Sequence, residues 1–188
     1  MSDRMTPAQR HYCMSRIRSK DTTPEKRVRQ WLWRHGYRYR LNVKGVPGKP
    51  DIVMRKYRTA IFVNGCFWHG HDIVWSSVET GRAPSLQIEN SARCKIPKTN
   101  RDFWGSKIRR NQERDQKNYE ILTENGWQVI VVWECQLKPK TLEKIMLQVE
   151  QQLLDYYIKT FNRRAKSYIH IEEENLPMVA EDPEEYGE

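Results

Sequence analysis

The sequence predicts an α/β fold in which helices flank a small mixed β-sheet. Residues 51–54 and 59–63 are short apolar runs separated by a polar turn, as in two neighbouring strands. The run 127–133 is apolar almost throughout, which indicates a buried central strand. Helical patterns over residues 102–125 and 141–158 complete the order helix, strands, long helix, strand, helix that is typical of this class.

The first helix has start and stop signals of its own. Thr22 or Thr23 can cap it, Pro24 suits its first turn, Glu25 completes a Thr-x-x-Glu capping box, and Gly36 ends it. We expect one buried stripe on this helix, formed by three apolar residues at i, i+3 and i+4: Val28, Trp31 and Leu32.

The long helix begins after Thr99 or Asn100, either of which can cap it, and Gly126 closes it. One of its faces carries residues spaced at i, i+4, i+7 and i+11: Trp104, Ile108, Asn111 and Asp115. Apolar residues that give way to polar ones along one face indicate packing that leads into a site. The basic residues around this face are possible phosphate contacts, although such charges also occur on ordinary solvated faces: Lys107, Arg109, Arg110, Arg114 and Lys117.

The charge is unevenly distributed along the 188 residues. The chain has 33 Lys and Arg against 24 Asp and Glu, a formal charge of +9. Residues 171–188 contain eight of the acids and no Lys or Arg, so the first 170 residues carry +17. Such an excess favours a polyanionic partner, most often nucleic acid, over charge that serves solubility alone.

Several classes of protein are excluded at this stage. No apolar run is long enough to cross a bilayer, and residues 1–10 lack the apolar segment of a secretory signal. We therefore expect a reducing compartment in which the four cysteines do not form a disulfide framework.

Asp51 is the first candidate for chemistry. It follows Pro50 at the start of a predicted strand, where nucleases commonly hold Mg²⁺ with a carboxylate. The metal would neutralise charge on a phosphodiester and acidify an attacking water. The alternative is an aspartate that only stabilises the turn after proline.

The segment 64–71, Asn-Gly-Cys-Phe-Trp-His-Gly-His, follows directly after a predicted strand. Cys66 and His71 are typical zinc ligands, and Cys94 and Cys135 could complete a Cys₃His site. The spacing matches no compact zinc finger, so separate reduced cysteines are the alternative.

The same segment contains a possible proton-transfer group and an aromatic pair. His69 and His71 are two residues apart, so one could bind zinc while the other serves a reaction centre as a base. Phe67 and Trp68 are adjacent and hard to bury together, which suggests an exposed wedge that unstacks bases, unless one of them fills the core.

Six motifs occur in an order that carries a family resemblance. They are M-x-x-I-x-x-x-D-T-x-x-E (14–25), P-G-K-P-D (47–51), F-V-N-G-C-F-W-H-G-H (62–71), P-K-T-N-R-D-F-W (97–104), K-I-x-x-N-x-x-R-D (107–115) and G-W-x-V-I-V-V-W-E-C (126–135). Together they resemble the very-short-patch repair (Vsr) DNA mismatch endonucleases over about residues 10–140. The resemblance implies a restriction-endonuclease-like core and nicking of the thymine strand on the 5′ side of a T:G mismatch left by deamination of 5-methylcytosine.

The resemblance also implies roles for individual residues. Asp51 and the backbone carbonyl of Val63 would bind the catalytic Mg²⁺, His69 would act on the water or the leaving group, and Asp115 would orient the site. Glu25 would lie near the cleft as a further acidic residue. A structural Zn²⁺ would be held by four ligands: Cys66, His71, Cys94 and Cys135. DNA contacts would come from a wedge, an opposing side chain and polar neighbours: Phe67, Trp68, Trp104, Met14, Asn111, Arg110, Arg114 and Lys98.

Two features depart from the family pattern. Asn64 stands where relatives tend to carry His or Asp; it can bind a metal-bound water but cannot remove its proton, which predicts an altered rate or metal dependence. A long insertion at about residues 72–93 separates His71 from Cys94.

We therefore expect three segments and one main activity. A basic arm or short helix (1–20) precedes an endonuclease domain (21–160), and a C-terminal extension (161–188) ends in an acidic, mobile tail beginning at 171.

The expected protein is a monomer in the bacterial cytoplasm, associated with the nucleoid and not with membrane. Its substrate is double-stranded DNA with a T:G mismatch, and mismatch-repair proteins are further partners. The alternatives are a restriction-type or other sequence-specific endonuclease of the same fold, or a DNA-binding module with impaired catalysis.

Overall fold

The computed structural model describes residues 6–16, 20–71, 73 and 100–174. The elements of this part of the chain, in order, are α1 (Pro7–Ser15), α2 (Thr23–Arg34), β1 (Ile52–Met54), β2 (Thr59–Asn64), α3 (Arg101–Glu124), β3 (Gln128–Trp133) and α4 (Leu142–Glu174). The predicted α/β class, with a small mixed sheet, is confirmed. No helix among the described residues combines the length and apolarity needed to span a membrane.

The sheet has the strand order β1-β2-β3. Strand β1 runs antiparallel to β2, with Ile52 opposite Ile61, and β3 runs parallel to β2, with Ile130 opposite Ile61. Among the described residues the prediction that residues 127–133 form the central strand is wrong, since β2 lies in the middle of this three-stranded sheet and β3 at one edge.

Strand β3 is apolar because helices cover both of its faces. Ile130 and Val132 belong to the cluster that contains residues of α2 and α4, whereas Val129 packs with Leu122 of α3 on the other face. Strand β1 is fully buried and β2 nearly so, whereas β3 is only partly buried. Uniform apolarity thus indicates covered faces, which an edge strand can also have.

The main core lies between one face of the sheet and helices α2 and α4. The predicted stripe of α2 is buried there together with Met146, Val149 and Leu153 of α4, and each such side chain contributes about 1.5–3 kcal/mol by leaving water. A smaller cluster of Ala60, Phe62 and Leu122 joins the opposite face of β2 to α3. Helix α3 is thereby held next to the carboxyl end of β2, where the site forms.

The start of α2 has the predicted capping box, except that one of its hydrogen bonds is displaced by one residue. The Thr22 hydroxyl accepts a hydrogen bond from the Glu25 amide at 3.4 Å, as a capping residue does. The Glu25 carboxylate accepts from the Thr22 hydroxyl at 2.9 Å and from the Asp21 amide at 3.0 Å, one residue earlier than in a regular capping box. Glu25 is buried, with 4% of its surface exposed, so these capping hydrogen bonds are shielded from water.

The ends of the helices differ in part from the sequence prediction. The predicted arm contains the short helix α1. Asn100 precedes α3 in the left-handed region (φ 54°) and its side chain makes no capping hydrogen bond, so capping by Asn100 is wrong; Thr99 lies outside the described residues. Helix α4 continues to Glu174, so its predicted end at residue 158 is wrong, and it includes residues 171–174, the first four residues of the predicted tail. Residues 175–188 lie outside the described part of the chain.

Candidate active site and metal centre

The segment 64–71 forms a tight loop that contacts α3 directly. Gly70 has φ +62°, and a Cβ atom there would lie 2.6 Å from Cγ2 of Ile108 and 2.9 Å from Nε2 of Gln112. The Gln112 side chain donates to the carbonyl of Gly70 at 3.0 Å. Glycine therefore supplies both the left-handed conformation and the space for close approach of the loop to α3.

Besides Gln112, helix α3 contacts this loop through three polar residues at intervals of four. Asn111 donates to the backbone carbonyl of Trp68 at 2.8 Å, and Asp115 accepts from Nδ1 of His69 at 2.5 Å. Tyr119 accepts from the side-chain amide of Asn64 at 3.1 Å. The predicted face of α3 is confirmed and extends one turn further, to Tyr119.

Tyr119 was not identified from the sequence as part of this face. Its position four residues after Asp115 on the same helix face was the available signal. An aromatic residue at helical spacing is more often part of the core, and the Tyr119 ring does pack against Phe62, with 4.9 Å between the ring centroids.

His69 and Asp115 form a hydrogen-bonded pair suited to proton transfer. Burial raises the pKa of the Asp115 carboxyl, but hydrogen bonds from His69 and from Arg114 (3.0 Å) outweigh it, so the pKa is lowered. An ionised Asp115 keeps the proton of the neutral imidazole on Nδ1, which leaves Nε2 of His69 as the acceptor. The pair therefore has the arrangement of an oriented general base.

Asp51 lies at the same end of β2. Its Oδ2 accepts a hydrogen bond from the backbone amide of Val63 at 2.8 Å, which joins the residue before β1 to the end of β2. Burial raises the pKa of the Asp51 carboxyl, as does the charge of Glu25, whereas the Val63 amide and the charges of Arg29 and His69 lower it; the net shift is upward. The Asp51 carboxylate, on which the charge of Glu25 acts, is the type of oxygen donor that Mg²⁺ prefers.

Glu25 has an additional cationic partner. Arg29, one turn along α2, donates to its carboxylate at 2.7 Å. Glu25 thus combines the helix-capping role with a place in the electrostatic surroundings of Asp51.

A second cluster, of two cysteines and a histidine, lies just past the carboxyl ends of the parallel strands β2 and β3. Asn64 pairs with Trp133 at the ends of β2 and β3, and the cysteines two residues further on, Cys66 and Cys135, are brought to the same side chain, His71. Their Sγ atoms lie 3.5 Å and 3.3 Å from Nδ1 of His71, and the three donor atoms lie within 4.8 Å of one another.

The donor set and its spacing fit zinc. Tetrahedral bonds of about 2.3 Å to sulfur and 2.0–2.1 Å to nitrogen separate the two donors by about 3.5 Å, close to the distances in this cluster. The indole of Trp133 stacks on the His71 ring, with 4.1 Å between centroids and 6° between planes. Trp133 was not identified from the sequence as part of this centre, although it stands two residues before Cys135. Cys94, the fourth predicted ligand, lies outside the described residues.

The electrostatics of Cys66 are consistent with a metal ligand. Burial raises the pKa of the Cys66 thiol to about 12; a backbone hydrogen bond with Cys135 opposes the rise, whereas the Cys135 side chain and the charge of Glu134 add to it. A buried thiol of this kind becomes a thiolate only with a positive charge next to it, which a bound metal ion supplies.

The aromatic residues of the loop and of α3 form one cluster. Trp68 and Trp104 each contact Phe67 edge to face, with centroid distances of 4.9 Å and 5.1 Å, and Phe103 contacts Trp104 at 5.2 Å. The expectation of an exposed Phe67–Trp68 pair needs correction, because both are half-buried and Phe67 packs against Ile73 and Ile108 of the core. Phe103, not identified from the sequence, is 58% exposed.

A positively charged side chain lies next to three of these rings. The Lys107 ammonium lies 5.4 Å, 5.5 Å and 5.7 Å from the ring centroids of Trp68, Trp104 and Phe103, respectively. An aromatic surface with one attached positive charge suits stacked bases and the phosphates beside them.

The other predicted DNA contacts are spread over the surface. Met14 lies on α1 with 41% of its surface exposed, and Arg110 is exposed on α3. Arg114 bonds to Asp115, so it has a role within the site as well as a charge available to a phosphate. Lys98 lies outside the described residues.

Comparisons with known proteins identify the class. The family model described as DNA mismatch endonuclease Vsr matches residues 2–75. The Type II nicking enzyme V.NmeAIP of Neisseria meningitidis serogroup A is 46% identical over 142 residues, which cover 76% of this chain and 89% of that enzyme. The DNA mismatch endonuclease Vsr of Escherichia coli is 34% identical over 158 residues, covering 84% of this chain and 88% of that protein.

The fold, the site and these relatives define a DNA endonuclease, an enzyme that cleaves phosphodiester bonds within a strand. The chain belongs to the Vsr family of DNA mismatch endonucleases, as its sequence motifs predicted.

Proposed function

We propose that this endonuclease nicks the thymine strand on the 5′ side of a T:G mismatch that arises from deamination of 5-methylcytosine. The observation that carries the proposal is the convergence of Asp51, Asn64 and the His69–Asp115 pair at the carboxyl end of β2. The aromatic cluster around Trp68 continues directly from that loop, so a distorted base pair and a scissile phosphate could be bound side by side.

The cleavage chemistry requires a divalent cation, for which Mg²⁺ fits the oxygen donors present. Asp51 and the carbonyl of Val63 would hold it, and when bound it would neutralise phosphate charge and acidify a water. Nε2 of His69 accepts or returns a proton, since Asp115 holds Nδ1. Asn64 cannot accept the proton and instead orients the water through hydrogen bonds.

Specificity for the mismatch comes from the aromatic residues more than from the charges. Phe67, Trp68 and Trp104 act as a wedge beside the weakened T:G pair, and Met14 approaches from the opposite groove. The basic residues of α3 and Lys98 bind phosphates, which sets affinity and salt dependence without reading the sequence.

The framework that supports this chemistry is a restriction-endonuclease-like core with a structural zinc site. Cys94 would be the fourth ligand beside Cys66, His71 and Cys135. The enzyme acts as a monomer in the bacterial cytoplasm at the nucleoid, where mismatch-repair proteins are further partners.

The decisive test of this function is a panel of duplexes that differ only at one base pair. With Mg²⁺ and protein in excess, we expect the T:G duplex to be nicked on the thymine strand roughly 5- to 150-fold faster than the matched duplex, since one base pair is worth roughly 1–3 kcal/mol of discrimination. Equal rates on matched and T:G duplexes would instead support a restriction-type activity. Binding without any nicking would support a DNA-binding module with impaired catalysis.

The role of the His69–Asp115 pair can be tested separately by replacing Asp115 with asparagine. We expect the single-turnover nicking rate to fall by about 100-fold, because a neutral amide no longer fixes the imidazole tautomer. Glu113→Gln, which removes an exposed carboxylate paired with Arg109 on the same helix, is the matched control and should keep the rate. A wild-type rate in Asp115→Asn would exclude the pair from proton transfer.

A further inference from the structure

We infer that Tyr119 is a positioning residue of the nuclease centre, acting through its hydrogen bond to Asn64. The inference rests on the proposed function in one respect: it takes orientation of the attacking water as the task of Asn64. It assigns to the enzyme a hydroxyl group on α3 that neither the motifs nor the predicted site contain.

The geometry places Tyr119 as the third member of a polar series on α3. Asn111, Asp115 and Tyr119 are spaced four residues apart and bond to Trp68, His69 and Asn64, respectively. The first two fix the backbone of the aromatic pair and the ring of the candidate base. Tyr119 fixes the side chain of Asn64, at the start of the loop, in the same way.

Asn64 depends on such a partner more than a charged residue would. It is the last residue of β2, next to Val63, whose amide binds Asp51, and only 5% of its surface is exposed. A neutral amide attracts a water weakly, so it directs a water only if its own orientation is fixed. The bond from its Nδ2 to the Tyr119 hydroxyl (3.1 Å) fixes the amide plane and leaves Oδ1 as the acceptor.

The hydroxyl and the ring of Tyr119 have separable roles. The ring packs on Phe62 beside the small cluster of Ala60 and Leu122. Burial raises the pKa of the Tyr119 hydroxyl, the bond from Asn64 opposes this, and the charges of Asp115 and Asp51 raise it further, so the phenol is neutral. Phenylalanine at this position would keep the packing and remove only the hydrogen bond.

The test is a double-mutant cycle measured on wild-type, Tyr119→Phe, Asn64→Ala and the double variant. Single-turnover nicking at saturating protein gives the rate of the chemical step, and duplex binding without Mg²⁺ gives Kd separately. We expect Tyr119→Phe to lower the rate by roughly 10- to 100-fold with little change in Kd, since a small misplacement of a reacting group costs about that much.

The coupling between the two substitutions distinguishes positioning from packing. If Tyr119 acts through Asn64, then Tyr119→Phe changes nothing further in the Asn64→Ala background. Additive losses in rate, or a wild-type rate in Tyr119→Phe, would overturn the inference. Tyr156→Phe removes a hydroxyl that donates to the Gly126 carbonyl at 2.9 Å, just before the amino end of β3, and it should nick at the wild-type rate.

Failure of the proposed function would be visible in different data. If the wild-type protein nicks T:G duplexes no faster than matched ones, the proposed mismatch specificity is refuted. The double-mutant cycle is then measured on the duplex that the wild-type protein does nick. The side-chain amide resonance of Asn64 provides a readout without any cleavage. It should shift in Tyr119→Phe and not in Tyr156→Phe, and an unmoved resonance would refute the hydrogen-bonded pair itself.

Discussion

Asp51→Asn is expected to lower the nicking rate by at least about 1,000-fold while duplex binding stays intact. The isosteric amide can still accept the hydrogen bond from the Val63 amide at 2.8 Å, so the link between the segment before β1 and the end of β2 is kept. It cannot offer the negative charge that holds a divalent cation. Loss of several kcal/mol of charge stabilisation corresponds to this fall in rate, at about 1.4 kcal/mol for each factor of ten.

The same substitution should not destabilise the fold. Because burial and the nearby Glu25 raise the pKa of Asp51, the folded state disfavours its charge, and removal of that charge stabilises the protein above the ordinary carboxyl pKa. We therefore expect a melting temperature equal to or above that of the wild type near pH 7. A lower melting temperature would attribute the lost activity to damage of the fold.

Two further measurements complete the test of Asp51. Asp155→Asn removes an exposed carboxylate of α4 that bonds to Gln151, and it should retain full activity at the same Mg²⁺ concentration. If Asp51→Asn nicked at the wild-type rate with unchanged Mg²⁺ dependence, Asp51 would have no part in metal binding and the proposed mechanism would fail.

Cys135→Ser is expected to lose bound zinc and to lower the melting temperature by roughly 10 °C or more. Structural zinc binding contributes to folding directly, so loss of one of its thiolates removes a large part of that free energy. The effect should reach the site, because Cys135 and Cys66 share His71 and the loop that follows Cys66 contains His69. Metal content by atomic emission and thermal unfolding with and without a chelator are the measurements.

Cys13→Ser is the matched control, because Cys13 is exposed on α1 and lies far along the chain from the cluster. It should keep its zinc and its melting temperature. Unchanged zinc content in Cys135→Ser would remove this residue from the metal centre. Zinc loss without any fall in melting temperature would show that the ion has no structural role.

Local periodicity made much of the site predictable. Asn111 and Asp115 were assigned to one face of α3 because helical spacing depends only on nearby residues. The bonds from that face to Trp68 and His69 agree with the assignment. The approach of Cys66 and Cys135 follows from the parallel pairing of β2 with β3, which brings the carboxyl ends of both strands to one edge of the sheet.

Features that depend on long-range pairing could not be predicted in the same way. The apolar run of β3 indicated burial but contained no information about strand order, so its edge position was missed. Tyr119 was missed for a related reason: its ring satisfies the packing pattern of the helix, and only the end of β2 in space reveals that its hydroxyl meets Asn64.

Helix α3 carries both a ring of the aromatic cluster and the partners of His69 and Asn64, which restricts how this enzyme can vary. An α-helix rises about 1.5 Å and turns about 100° per residue, so Trp104 and Tyr119 lie about 22 Å apart on a single stiff rod. Insertion or deletion of one residue between Trp104 and Asn111 would rotate Asn111, Asp115 and Tyr119 away from their partners in the loop while Trp104 stayed in place. Side chains along α3 can therefore be exchanged, but the number of residues between Trp104 and Asn111 is fixed.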